Sequence, residues 1–127
     1  MKQFRTPLKT ARGLGSAKQG LHHWLVQRYT AVALVFLALW FVYFVVGLIH
    51  ADYLAATDAI AKPWNATLLV AFLVAMFWHA QLGVQVVLED YVHAPLTAMV
   101  TQLLVRFICI LGALASVFAV VRIALGN

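Results

Sequence analysis

Charged side chains are scarce. They make up 10% of the 127 residues while apolar ones make up 65%, a balance that excludes a soluble domain of ordinary composition. Acids are the rarer sign, four against nine lysines and arginines, and none precedes Asp52. Cysteine occurs once, as Cys109 inside an apolar run, so no internal disulfide can form and the thiol reads as a buried structural one. No internal repeat or low-complexity segment is present. The segment Gly13-Leu14-Gly15-Ser16-Ala17-Lys18 follows no strand and lacks the full spacing of a phosphate loop, so a nucleotide reading is set aside.

What is there is apolar length. Tyr29–Ile49 holds 21 residues without a charge or a histidine, enough to cross a hydrocarbon core of about 30 Å at 1.5 Å per residue. Ala66–Leu88 is a second run of 23 residues, and Leu103–Leu125 a third. Arg106 and Arg122 lie 16 residues apart in the third run, about 24 Å of helix, so each can snorkel to its own interface. The first run is too long for a cleaved leader and is followed by further spans, so it reads as a retained anchor. The expected fold is all-α and integral to the membrane: three transmembrane helices in an up-down bundle, with spans at about 24–50, 65–89 and 96–125 in a single domain over 1–127. Residues 1–23 form a basic arm, irregular or weakly helical by itself, suited to a membrane surface or a soluble partner.

The basic residues set the orientation. Lys2, Arg5, Lys9, Arg12, Lys18 and Arg28 precede or open the first span without an accompanying acid, whereas the loop Asp52–Lys62 sets one lysine against Asp52 and Asp58. The positive-inside bias places the N-terminus in the cytoplasm. The net charge of +5 belongs mostly to this arm, and nucleic acid is not an expected partner. Trp24 and Tyr29 stand where an interfacial aromatic belt is expected, and Lys62-Pro63-Trp64 marks the return into the membrane.

One residue departs from the apolar pattern. His79 is the only ionisable side chain in Ala66–Leu88, and a titratable group at membrane depth is costly unless paired or bound. At 100° per residue, Gly83 lies about 40° from His79 round the helix and Asp90 about 20°. The stripe therefore runs from a deep histidine past a glycine to a carboxylate at the mouth. His79 sits about 15 Å below Glu89 along the helix. A neutral imidazole is a common axial haem ligand, and a glycine one turn away removes a side chain that would meet a flat macrocycle. The plainer reading is a hydrogen bond from His79 to a neighbouring helix, with Gly83 easing close packing. No C-x-x-C-H motif for covalent haem attachment occurs. Arg28, at the same end of span 1, is suited to a propionate or simply to topology. Asp90-Tyr91 offers a phenol to a quinone carbonyl beside a carboxylate, or else a polar helix end with a belt tyrosine. His22, His23, His50 and His93 all lie outside the depth of His79, so haem held by two histidines needs a second subunit or a second copy.

These residues resemble a known family. Gly20-Leu21-His22-His23-Trp24-Leu25-Val26-Gln27-Arg28 before span 1, then His79-Ala80-Gln81-Leu82-Gly83 with Glu89-Asp90-Tyr91-Val92 closing span 2, are similar to the D-type hydrophobic membrane anchor of bacterial succinate dehydrogenase. The S-P-H-L, H-R-x-T-G and R-H-L segments of the C-type partner are absent. The resemblance implies a b-type haem shared with the C-type anchor, with His79 as axial iron ligand, Arg28 and His22 near the propionates and Gly83 beside the ring. It also implies ubiquinone at Tyr91 with Asp90 next to it. Partners would be the C-type anchor, the iron–sulfur subunit and the flavoprotein, in the bacterial inner membrane. The chain would carry electrons toward ubiquinone as part of the enzyme and oxidise no succinate by itself. An anchor of fumarate reductase, another b-type membrane cytochrome and a small non-enzymatic membrane protein are the alternatives. A pore is disfavoured, because span 1 has little polarity beyond Thr30 and Tyr43.

Overall fold

The computed structural model describes Thr6, Leu8 and residues 19–126. The expectation for the basic arm therefore falls mostly outside the described residues, as does the Gly13–Lys18 segment. Helix α1 runs Gln19–Gly47, α2 Tyr53–Ala61, α3 Pro63–Tyr91 and α4 Pro95–Ala124. No strand occurs among the described residues. Within them, three helices are long and apolar enough to span a membrane: Leu21–Gly47, Pro63–Tyr91 and Pro95–Ala124.

Local chemistry sets the helix ends. α1 stops at Gly47 and tightens into a turn, with Leu48 N–H donating to Val45 and Ala51 N–H to Leu48, each at 3.0 Å. Asp52 then caps α2, its carboxylate accepting from Ala55 N–H at 2.8 Å. This nine-residue helix lies in the segment read from sequence only as a loop. Pro63 and Pro95 occupy first-turn positions of α3 and α4, where a missing N–H costs nothing. Past α4 the chain leaves through Gly126 at φ 79°, a left-handed turn that glycine adopts without strain.

α3 is the central element. It packs on α1 at one side and α4 at the other, while α1 and α4 make no backbone approach to each other. Phe41 stacks on Phe72 across α1 and α3 at 4.5 Å between centroids. Gly112 lets α4 close on Phe77 of α3, where a Cβ would stand 2.7 Å from the ring edge, the close approach that small residues allow between membrane helices. These pairings make successive long helices antiparallel. They also bring the start of α1, the end of α3 and the start of α4 to one end of the bundle.

Only Leu69 and Leu82 are buried among the described residues, each at 7% exposure. The outward faces of α1 and α4 are almost continuously apolar. In water that surface would drive aggregation. In a bilayer, lipid or neighbouring subunits cover it at no such cost.

Candidate functional site

Most polar groups of the spans lie in the half of the bundle where α1 begins and α3 ends. His79 Nδ1 lies 3.0 Å from Thr30 Oγ1 of α1. The Thr30 hydroxyl also faces two carbonyls of its own helix, Val26 O at 2.9 Å and Gln27 O at 3.0 Å. With the hydroxyl proton turned to either carbonyl, which can only accept, the oxygen's lone pair is free to take His79 Nδ1–H. In that arrangement Nδ1 carries the proton and Nε2 keeps the lone pair that a metal ligand needs. Nε2 makes no hydrogen bond among the described residues and is not sealed from approach.

One turn on, the α1–α3 contact stays polar. A Cβ on Gly83 would stand 3.9 Å from Gln27 Nε2, so the glycine leaves space beside His79. His23 Nε2 and Gln27 Oε1 are buried without a partner among the described residues. Unpaired polar atoms at such depth are uncommon because each forfeits its solvation. His23, Gln27 and Thr30 recur at i, i+4 and i+7, which puts them on one face of α1, toward α3. A ligating imidazole held by an acceptor, a side-chain-free gap and orphaned polar atoms beside them fit a cofactor such as haem. Among the described residues no cluster of three or more His, Cys, Asp or Glu side chains is placed to hold a bare metal ion.

The other expected site residues lie apart from this contact. The Arg28 guanidinium sits over the Trp24 ring at 5.1 Å, on a face of α1 about 160° round from Thr30. Asp90 and Tyr91 are exposed at the end of α3, Tyr91 to 79%. Gln85 Nε2 donates to Glu89 Oε1 at 2.8 Å, drawing Glu89 back along the helix. His22 lines a groove of about 750 Å³ that runs over α3 between α1 and α4, together with His23, Gln81, Gln85 and Arg106. His79 and Gly83 are not part of that groove.

Thr30, Gln27, Gln81 and Gln85 were not singled out from the sequence. The available signal was their polarity inside apolar helices, since such groups in membranes face partners rather than lipid.

The fold and its polar contact define a class: a small all-α multi-pass membrane subunit with its polar chemistry at one end and apolar faces free for other chains. The profile of the succinate dehydrogenase/fumarate reductase transmembrane subunit family matches residues 2–121, and the chain belongs to that family. It is 36% identical to the succinate dehydrogenase hydrophobic membrane anchor subunit of Rickettsia bellii, over 92% of this chain and 94% of the relative. The corresponding subunit of Rickettsia conorii is 33% identical over 91% and 93%. That of Paracoccus denitrificans is 29% identical over 98% and 95%. No solved structure matches the chain significantly. The chain is thus a multi-pass inner-membrane anchor subunit of an oxidoreductase complex, not a catalyst in isolation.

Proposed function

We propose that the chain is the D-type anchor of succinate:ubiquinone oxidoreductase, acting over its whole length as one membrane domain with its N-terminus in the cytoplasm. It would share a b-type haem with the C-type anchor and help form the ubiquinone site. Relatives named as succinate dehydrogenase subunits support succinate as electron donor over the fumarate reductase alternative.

The observation that carries this reading is His79 Nε2, which has no hydrogen-bond partner among the described residues while Nδ1 meets Thr30. With Nδ1 engaged, Nε2 of His79 would hold the haem iron, with a further ligand supplied by the partner chain. A bound haem supplies one-electron storage between the iron–sulfur subunit and quinone. The protein's own part is to fix the imidazole, keep side chains out beside Gly83 and donate hydrogen bonds. Tyr91 presents its phenol at the cytoplasmic mouth, where it would donate to a quinone carbonyl with Asp90 beside it to exchange protons. Arg28 and His22 would counter the propionates at the same end of the bundle. The exposed apolar faces of α1 and α4 leave room for the C-type anchor, and the basic arm for the iron–sulfur and flavoprotein subunits.

The test is the reduced-minus-oxidised spectrum of the purified complex carrying His79→Ala. Loss or displacement of the b-type α-band, with all subunits retained, is the expected result. An unchanged band with unchanged haem stoichiometry would remove His79 as a ligand.

A further inference from the structure

The groove over α3 poses a separate problem. It lies on a different face of α3 from His79: Trp78, Leu82 and Gln85 line it, and they stand about 60–120° round the helix from that histidine. Arg106 faces it from α4 and makes no ion pair or hydrogen bond among the described residues. Arg106 is 11 residues past Pro95, about 16 Å along α4. If the 30-residue helix is centred on a hydrocarbon layer of ~30 Å, that is roughly 9 Å below its edge. A permanent cation there calls for a counter-charge. The acids of this chain do not supply one. Asp52 and Asp58 are at the opposite end of the bundle, and Glu89 and Asp90 lie in the last turn of α3.

The rest of the lining is graded in the same sense. His22 and His23 lie in the first turns of α1, near the membrane surface, and Gln85 lies about 9 Å from the end of α3. Gln81 lies about as deep as Arg106. No acidic side chain lines the groove. Below it, sharing Trp78, Gln81 and Ile110, opens an apolar slot of about 110 Å³ between α3 and α4, floored by Val74, Phe77 and Ala113. Because α1 and α4 do not meet, no described helix of this chain closes the channel on that side.

We propose that this groove is a site for an anionic phospholipid of the cytoplasmic leaflet. The phosphate is held by Arg106, reaching up from below, with Gln85 beside it, while an acyl chain runs down toward the apolar slot. Arginine favours phosphate because its planar fork donates two parallel hydrogen bonds, and burial strengthens that pairing. A head region holding the Arg106 guanidinium above an apolar slot fits a charged amphiphile better than a neutral one, which would leave Arg106 uncompensated.

The experiment uses the intact complex, stripped of lipid in neutral detergent. Native mass spectrometry then follows the titration with phosphatidylglycerol and, separately, phosphatidylcholine. The wild type should retain phosphatidylglycerol in preference to phosphatidylcholine. Arg106→Gln should bind it about tenfold more weakly, the loss of one charge-assisted contact, and Arg106→Lys should recover part of the affinity. The b-type α-band should stay unchanged in both variants, which separates this site from the haem reading. Gln85→Ala, a milder change at a half-buried position of α3, should weaken phosphatidylglycerol binding without affecting assembly. Equal retention of both lipids, equal retention by wild type and Arg106→Gln, or a quinone as the retained molecule would overturn the proposal. So would Arg106→Gln releasing another subunit from a complex that never held the acidic lipid, since a partner carboxylate would then be the counter-charge.

Discussion

Thr30 and His79 stand 49 positions apart in the chain, yet Oγ1 and Nδ1 meet at 3.0 Å across the α1–α3 contact. The bond does two things. It gives the imidazole Nδ1 a partner at membrane depth, and it leaves Nε2 without one among the described residues. A threonine in an apolar helix is thereby a positioning residue for the histidine opposite.

Thr30→Val keeps the side-chain shape and removes the acceptor. His79 Nδ1–H then loses its partner, costing about 1 kcal/mol. Without that acceptor the imidazole is a weaker donor to ferric iron, so the haem midpoint should rise by up to roughly 40 mV, the one-electron equivalent of that energy. Redox titration of the complex measures this, and Thr30→Ser should return the midpoint toward the wild-type value. An identical midpoint in Thr30→Val would show that the contact does not tune the ligand.

Tyr91 is largely exposed and forms no hydrogen bond within the described residues, so Tyr91→Phe should leave stability within about 0.5 kcal/mol of wild type. Quinone reduction should fall about tenfold, the loss of one directed hydrogen bond. Succinate oxidation by an artificial acceptor should persist. Equal loss of both rates would instead point to faulty assembly.

Gly112 faces Phe77 so closely that a Cβ would stand 2.7 Å from Cε1 and 2.9 Å from Cζ. Gly112→Val should push α4 away from α3 and destabilise the bundle by roughly 1–3 kcal/mol. Gly112→Ala should cost less, because the ring edge can shift. Thermal loss of helical signal in detergent checks the order wild type, Ala, Val.

The three spans were legible because each is a long apolar run, and a bilayer demands that length of any helix crossing it. His79 stood out for the same reason, as the one titratable group in its run. The short helix after Asp52 did not. Its residues are apolar enough for a loop or a helix, and its capping depends on a carboxylate reaching Ala55 N–H, which only the folded turn creates. Helical angles put Gly83 on the His79 side of α3, and the structure finds Gln27 there. No angle along α3 could name that neighbour on another helix.

Membrane residence, helix number, family membership and the depth of the lone histidine were determined by the sequence itself, because they depend on runs, spacing and motifs along one chain. Which residues meet was decided only by tertiary structure. α3 occupies the centre, Thr30 faces His79, and Arg106 faces a groove shared with His22 and Gln85. The physical reason is that these helices are apolar nearly all round, so no hydrophobic stripe announces which face turns inward. Their rotation is selected instead by small-residue contacts such as Gly112 on Phe77 and by a few polar groups seeking partners across the bundle.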